Sequence, residues 1–258
     1  MLAAECRRGG DRLDSLIAVA GVSTLAGAVA AVSGFGIGSL LTPMLVLSIP
    51  MPTATAVAVL AVPHALATAV RWVRLRRDVD RPTFREFGVA SAVGGLAGAA
   101  LQSQLASPVL TIVLAALLVL AGTTELLRRR VPLPRTSAWR LAGGVLSGAF
   151  GGLVGNQGGI RAAALLGFEL RPRALVATAT ASALLVDAAR VPIYFLSAGP
   201  VIVQSSRLLL VISLGAIAGT FLGVPVLGRI PEPAYRRLVG GLLIALALLL
   251  LAGSFGGR

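Results

Sequence analysis

A few ionisable side chains lie inside apolar stretches of this chain, and they are the residues best placed to do chemistry. Asp187 and Arg190 are three residues apart in one apolar segment, so on a helix they share a face and can form an ion pair. His64, which follows Pro63 inside another apolar segment, has a side chain that titrates near neutral pH. The pair suits either a structural ion pair or a proton-coupled switch. His64 suits either a packed imidazole or a proton-transfer group.

A second candidate site is a glycine-rich break followed by an arginine. A helix that restarts after such a break presents free N–H groups and the positive end of its dipole, which favour a bound anion. Arg161 stands at this restart and adds forked hydrogen-bond donors that match an oxyanion. We predict that Arg161 contacts the substrate and that the break supplies neutral donors, although its glutamine could equally cap the helix. The residues of the break are Asn156, Gln157, Gly158 and Gly159.

A matching break occurs near the start of the chain, at Gly34, Gly36 and Gly38. Irregular backbone inside the hydrocarbon layer is costly unless it lines a cavity or is buried in protein. A break that occurs twice therefore predicts a polar cavity, and we include these three glycines in the predicted substrate site. Clustered glycines also serve close helix packing, which is the role we predict for Gly94, Gly95 and Gly98.

The segments that must position these residues are long and apolar. Of the 258 residues 56% are hydrophobic and 13% are charged, with a mean hydropathy of +0.90, whereas soluble domains carry about 25% charged residues. Because a spanning helix needs roughly 20 apolar residues, the sequence predicts an all-α integral membrane protein with about eight spans. Two shorter apolar runs, Ser39–Leu47 and Ile160–Leu166, follow the first and fifth spans. The predicted spans are Leu13–Val32, Thr53–Val70, Phe87–Leu105, Val109–Leu127, Leu141–Val154, Ala174–Leu196, Leu208–Leu227 and Leu238–Leu251.

The net charge of +13 comes from arginine, because the chain contains no lysine. The arginines gather between predicted spans, which is typical of cytoplasmic loops and argues against a nucleic-acid partner. One cysteine and one histidine leave no pattern for a disulfide framework, a metal site or a hydrolytic enzyme. We therefore predict no cofactor and no catalytic residue. The two main arginine clusters comprise Arg71, Arg74, Arg76, Arg77, Arg81 and Arg85, and Arg128, Arg129, Arg130, Arg135 and Arg140.

The two halves of the chain resemble each other in sequence. Ala28–Leu45 and Ala149–Leu166 both place a glycine cluster after an apolar span and then resume a short helix. Each is followed by a helix of small residues that ends in arginine, at Arg71 in the first half and at Arg190 in the second. Matched breaks in corresponding positions point to the binding site of a transporter.

The arginine loops also order the predicted spans. If these loops are cytoplasmic, each glycine-broken unit must enter and leave the membrane on one side. Each half then has an odd number of segments, which predicts two inverted repeats, each opening with a broken hairpin. The predicted repeat halves of the membrane domain are 1–130 and 131–258.

The glycine motifs, the duplication and the short length together resemble the TauE/SafE family of sulfite and organosulfonate exporters. Gly34–Pro43 matches the Gly-x-Gly-rich stretch and proline-containing short helix that open each half in that family. The second copy, Gly155–Leu166, keeps its glycines but has Ala164 where proline is expected. The resemblance covers nearly the whole chain. It implies export of small sulfur-containing anions.

Together these observations predict a secondary transporter of small anions in the plasma or inner membrane. The resemblance implies sulfite or an organosulfonate as cargo, and the paired breaks predict alternating access at a midplane site between the halves. A passive anion channel, or a carrier of another carboxylate or oxyanion, stays open as an alternative. The predicted partners are the small anion and the lipid bilayer, and assembly as a homodimer stays open.

Overall fold

The computed structural model describes residues 2–33, 37–49, 51–127, 136–227 and 229–256. These residues are helical almost throughout and include no strand. A 3-10 turn follows α3, another follows α8, and a π-helical turn, Phe84–Gly88, joins α4 to α5. The helices are α1 (Leu2–Ser33), α2 (Gly38–Ser48), α3 (Thr53–Leu75), α4 (Arg81–Thr83), α5 (Val89–Gln102), α6 (Ser107–Leu127), α7 (Ser137–Val154), α8 (Gly158–Leu165), α9 (Pro172–Gln204), α10 (Ser206–Leu227) and α11 (Glu232–Gly256).

Five helices in the described part of the chain are long and apolar enough to cross a membrane. They coincide with five of the eight predicted spans, and the other three predicted segments lie mainly in α1, α5 and α7. The all-helical fold is therefore confirmed, while the number of eight spans stays a prediction. The five helices are Thr53–Asp78, Ser107–Leu127, Pro172–Gln204, Ser206–Gly223 and Glu232–Ser254.

Large apolar side chains point away from the helices into the surroundings. Leu196 and Val203 on α9, Leu210 on α10 and Leu238 on α11 are all mostly exposed. Water would penalise this apolar surface in proportion to its area, whereas lipid tails accept it. The exterior of the molecule is therefore suited to a bilayer.

Glycines allow four helices to approach closely in two pairs, α1 with α10 and α5 with α7. In the first pair Gly219 faces the Thr24 carbonyl, and in the second Gly148 faces the Ser91 carbonyl. At both glycines an added Cβ would overlap the facing oxygen. Lipid supplies no hydrophobic force to hold membrane helices together, so their association depends on close packing. Small residues permit that packing because they let the two backbones approach each other.

The packing role predicted for Gly94 and Gly98 is confirmed. Both glycines lie on α5 against the backbone of α7, Gly94 beside the Val145 carbonyl and Gly98 beside the Ala149 carbonyl. These contacts fix α7, which leads into the second glycine break, against α5.

We expect Gly148→Ala to destabilise the protein by about 1–3 kcal/mol, because overpacking a close contact forces the backbones apart. The matched control is Gly241→Ala in α11, where an added Cβ has nothing within 4 Å. That change should be neutral or stabilising, since alanine is more favourable than glycine in a helix by roughly 1 kcal/mol. Thermal unfolding in detergent measures both effects. Equal stability of the two variants would contradict the tight contact between α5 and α7.

The centre of the fold is formed by α3 and α9, which pack against each other. On its other side α3 contacts α10, and α9 contacts α5. α9 consists of two helices joined at a kink, where Ala198 has a non-helical φ of −136°. Pro200 accounts for the kink, because proline removes a backbone donor and clashes with the carbonyl four residues before it. Of the buried ionisable residues, His64 and Arg71 lie on α3, and Asp187 and Arg190 lie on the first part of α9.

Candidate functional site

The two glycine breaks lie against each other. Gly38, the first residue of α2, is so close to Gly155 that an added Cβ would overlap the Gly155 carbonyl oxygen. Beside this contact the Ser39 hydroxyl donates to Asn156 Oδ1 at 2.8 Å. Gly155 ends α7 with a φ of 72°, a left-handed conformation that glycine adopts readily. We call these four residues the junction, because they join the start of α2 to the residues that lead into α8.

The structure places the predicted glycines around this junction as far as it describes them. Gly38 and Gly158 are buried, Gly159 is half-buried, and Gly158 begins α8. Gly34 and Gly36 lie outside the described residues. A contact between any of these glycines and a substrate stays a prediction.

Buried polar groups without partners cluster near the junction. Asn156 is 4% exposed and Gln157 is 1% exposed. Asn156 Nδ2 and both polar atoms of the Gln157 side chain have no hydrogen-bond partner among the described residues. The same holds for the hydroxyl of Thr42 on α2, which lies beside Gly155. Leaving a buried donor or acceptor unsatisfied costs about 1–3 kcal/mol, so a polar ligand at this position would be stabilised.

Arg161 is the fourth residue of α8, and only 3% of it is exposed. Its main-chain N–H donates to the Gln157 carbonyl at 3.0 Å, which closes the first turn of α8 beside the junction. The charges of Arg71, Asp187 and Arg190 all act on the Arg161 guanidinium. The fold therefore brings Arg161 into one electrostatic cluster with the ionisable residues of α3 and α9.

Asp187 is the acidic centre of that cluster and is completely buried. Arg190 donates to Asp187 Oδ1 from Nε at 2.9 Å and from Nη2 at 2.8 Å. The other carboxylate oxygen, Oδ2, lies 2.7 Å from His64 Nδ1. The predicted ion pair of Asp187 and Arg190 is confirmed, whereas the contact with His64 on α3 was not predicted. A carboxylate placed in this way can exchange a proton with the imidazole while the guanidinium stays charged.

Two side chains of α9 hold the last turn of α7. Arg190 Nη1 donates to the Gly151 carbonyl, and the Tyr194 hydroxyl donates to the Gly152 carbonyl. Both carbonyls belong to the last four residues of α7, which ends at Val154, and the Gly151 carbonyl also accepts from the Gly155 main-chain N–H at 3.1 Å. Arg190 therefore links the carboxylate of Asp187 directly to the second glycine break.

Arg71 is not a loop residue, and its assignment to a cytoplasmic arginine cluster was wrong. It lies in α3, two turns from His64, and is 7% exposed. Its Nη1 donates at 2.8 Å to the Ala30 carbonyl in the last turn of α1. The error arose because α3 continues to Leu75, so the first arginine of that run still points into the protein.

Sequence reasoning missed four residues of the site. Two are the hydroxyl residues of α2, Ser39 and Thr42, which no local pattern distinguishes from other small residues in apolar helices. Tyr194 likewise carries no local signal. Arg71 did carry one, because the repeat alignment paired it with Arg190 and thus with a buried arginine.

Positive charge predominates among the buried ionisable side chains that the structure describes. Among the described side chains, the buried guanidinium groups are those of Arg71, Arg161 and Arg190, and the buried carboxylate is that of Asp187. Removing a charge from water costs several kcal/mol unless an opposite charge compensates it. Three guanidinium groups in one buried region favour an anionic ligand. Within the same described residues, no group of His, Cys, Asp or Glu side chains could hold a metal ion.

Comparison with known proteins identifies the family. A model of the sulfite exporter TauE/SafE family matches residues 19–250, nearly the whole chain. The match includes both glycine breaks and the helices α3 and α9, and hence the whole candidate site. No curated protein and no solved structure matches the chain. The resemblance drawn from the sequence is thus confirmed, and this multi-pass membrane protein belongs to the sulfite exporter TauE/SafE family of transporters.

Proposed function

We propose that this protein is a secondary transporter of small sulfur-containing oxyanions, sulfite or organosulfonates, in the plasma or inner membrane. Membership of the family supports a transporter of the sulfite or sulfonate type. The observation that carries the proposal is the group of buried side chains Arg71, Arg161, Arg190 and Asp187. An anion that enters this cluster brings negative charge beside three buried guanidinium groups.

The anion binds beside the junction, where α2 and α8 begin. Both helices direct their free N–H groups and the positive ends of their dipoles toward this region. Arg161 supplies a forked pair of charged donors, and the unpartnered Asn156 Nδ2 and Gln157 Nε2 supply neutral donors. The glycines of the two breaks allow the anion to approach the main chain closely.

The two halves of the chain act as inverted repeats in this proposal. Exchanging the halves converts the pair of α1 and α10 into the pair of α7 and α5, and both pairs are observed. The same exchange converts the bond from Arg71 to the Ala30 carbonyl into the bond from Arg190 to the Gly151 carbonyl. Ala30 and Gly151 occupy the same position in the aligned segments. These correspondences support a two-fold relation centred on α3 and α9.

Transport proceeds by alternating access. Asn156, Gln157, Arg161 and Asp187 are each at most 4% exposed, so an anion reaches them only when helices move. Rocking one half against the other opens the junction first to one side of the membrane and then to the other. A passive channel is the alternative, and it requires a path that is open to both sides at once.

His64 and Asp187 couple this movement to protons. A proton taken up by the pair weakens the attraction between Asp187 and Arg190, because it removes negative charge from the carboxylate or competes for it. Arg190 in turn holds the Gly151 carbonyl at the end of α7. The protonation state therefore acts on the second glycine break through one guanidinium group. A purely structural ion pair is the alternative.

Uptake of labelled sulfite into proteoliposomes, with and without an imposed pH gradient, tests this function. We expect uptake that saturates and shows counterflow, because each anion must be bound and enclosed before it crosses. Uptake that responds to the gradient would support proton coupling. Saturable uptake without that response would retain the carrier and leave Asp187 and Arg190 as a structural pair.

Empty liposomes and liposomes with heat-unfolded protein are the controls for this measurement. Uptake that rises linearly with sulfite concentration and shows no counterflow would replace the carrier by a passive anion channel. Folded protein that moves no more sulfite than empty liposomes do would contradict the proposed cargo. The same assay would then be repeated with labelled carboxylates and other oxyanions.

A further inference from the structure

A cavity lies where α3 ends and α9 begins, and it is separate from the candidate anion site. Its volume is about 420 Å³, within the range of roughly 300–1,000 Å³ that is usual for ligand pockets. None of the described residues that line it belongs to the junction or to the buried group around Asp187. The lining residues are Val73, Arg74, Arg76, Arg77, Asp78 and Arg173.

Positive charge predominates in this lining. Four arginines and one aspartate leave an excess of three positive charges. Asp78 Oδ2 pairs with Arg173 Nε at 2.9 Å, so one of the four arginines already engages the aspartate. Among the described residues, Arg76 and Arg77 have no ion-pair partner, and both side chains are exposed. Their guanidinium groups are available to an anion, and each can present forked donors to phosphate oxygens.

Contacts between the two chain segments hold the cavity in shape. Besides the pair of Asp78 and Arg173, the Asp80 main-chain N–H donates to Thr178 Oγ1 on α9 at 3.0 Å. Asp80 Oδ1 accepts in turn from the Thr83 main-chain N–H at 3.0 Å, which caps α4. The end of α3 is therefore fixed against the start of α9. A site that is formed before its ligand arrives loses less entropy on binding.

Apolar side chains beside the cavity place it at the edge of the hydrocarbon layer. Arg74 Cζ lies 4.7 Å from the ring centroid of Phe221 on α10, within the range of cation–π attraction. Phe221 is 49% exposed and Val73 is 54% exposed, and both lie in helices that are long and apolar enough to cross a membrane. Trp72, which precedes Val73, is half-buried, and tryptophan is enriched at the membrane–water interface. Arginines at the end of a span, next to lipid-facing side chains, lie at the depth of the lipid headgroups.

We infer that this cavity binds the headgroup of an anionic phospholipid. Arg76 and Arg77 hold the phosphate, while the acyl chains lie over Val73 and Phe221. Basic pockets between membrane helices suit such headgroups, and the adjoining apolar surface suits the chains. A soluble phosphate would use only the charged part of the site. Lipid binding here is independent of the transport proposed above, because it uses none of the residues of that site.

Titration of the purified full-length protein with lipid in detergent, followed by native mass spectrometry, tests this lipid site. Phosphatidylglycerol and phosphatidylcholine with identical acyl chains are the two probes, because only the first carries a net negative charge. We expect the first bound phosphatidylglycerol to have a dissociation constant about tenfold lower than that of phosphatidylcholine. Equal dissociation constants for the two lipids would overturn the anionic site.

Removing two arginines from the lining locates the binding. Arg76→Gln combined with Arg77→Gln should weaken the binding of phosphatidylglycerol by about thirtyfold, since both charges lie at the headgroup. The matched control is Arg207→Gln combined with Arg237→Gln, which removes the same charge from exposed positions on α10 and α11 outside the cavity. The control should bind like wild type. An equal loss in both variants, or no loss in the first, would overturn the assignment to this cavity.

Thermal unfolding checks that both double variants are folded, which we expect because all four side chains are exposed. If the variant of Arg76 and Arg77 does not fold, the comparison of the two lipids on wild-type protein decides whether the site prefers an anionic lipid. Competition with glycerol 3-phosphate distinguishes a lipid from a soluble phosphate. We expect it to displace phosphatidylglycerol only at a concentration at least about a hundredfold higher, because it lacks the acyl chains. Displacement at equal concentrations would assign the cavity to a soluble phosphate and overturn the lipid.

Discussion

Arg161→Gln is expected to lower the saturable uptake of sulfite by about a hundredfold, which corresponds to roughly 3 kcal/mol lost from anion binding. The loss is large because Arg161 is 3% exposed, so water cannot replace its charged, forked donors. Initial rates of uptake over a range of sulfite concentrations measure the effect. Unchanged kinetics would remove the central residue from the proposed site.

The stability of the same variant separates a binding role from a structural one. Arg71 and Arg190 carry the same charge as Arg161 and disfavour it, while Asp187 favours it. The neutral side chain should therefore leave the thermal unfolding temperature unchanged or raise it. Arg173→Ala is the matched control, because that side chain is 75% exposed, and it should transport like wild type. A destabilised Arg161→Gln protein would indicate that Arg161 supports the fold.

Asp187→Asn is expected to have the opposite profile and to destabilise the protein by about 3–5 kcal/mol. The change keeps the shape of the side chain but leaves Arg190 buried beside a neutral amide. It also weakens the hold of Arg190 on the Gly151 carbonyl, because the guanidinium is no longer anchored by a charge. Thermal unfolding in detergent, followed by intrinsic fluorescence, measures the loss.

Two further variants test whether the loss of stability arises from the burial of the Asp187–Arg190 pair. Asp78→Asn breaks another Asp–Arg pair, with Arg173, whose side chains are 29% and 75% exposed, and should cost at most about 1 kcal/mol. The double change Asp187→Asn with Arg190→Gln removes both charges and should recover a large part of the loss. Equal stability of Asp187→Asn and wild-type protein would show that the pair contributes nothing to folding.

The different profiles expected for Arg161→Gln and Asp187→Asn follow from the opposite charges of the two residues in a region rich in buried arginine. Asp187 compensates the buried charge of Arg190, so its loss lowers the stability of the fold. Arg161 lies at the start of α8, where the anion is proposed to bind, so its loss lowers anion binding. Buried like charges that are kept for a ligand lower the stability of the empty site, which is a common cost of function.

Much of the fold could be read from local features of the sequence. The length of the apolar runs and the scarcity of charge predict membrane helices, because a span must satisfy its backbone hydrogen bonds internally. The spacing of Asp187 and Arg190 predicts their ion pair, because residues three apart share a helix face. The glycines of each break predict where a helix stops and another begins.

The contacts that make the site could not be predicted in this way. His64 and Asp187 are 123 residues apart in the chain, and Ser39 and Asn156 are 117 residues apart. The burial of Arg71 also depends on a distant partner, the end of α1. The local spacing of residues does not predict which face of α3 packs against α9, or that the two glycine breaks lie in contact.

The sequence by itself determined that this is a helical membrane protein with two glycine breaks, an arginine beside the second, and an acidic pair on a later helix. Only the tertiary structure decided that the breaks meet, that His64 joins Asp187, and that a third arginine faces inward. The physical reason is that helix formation and membrane insertion depend on neighbouring residues. The set of charges that meet in a site depends instead on which helices, distant in sequence, pack together, and small residues on those helices permit that packing.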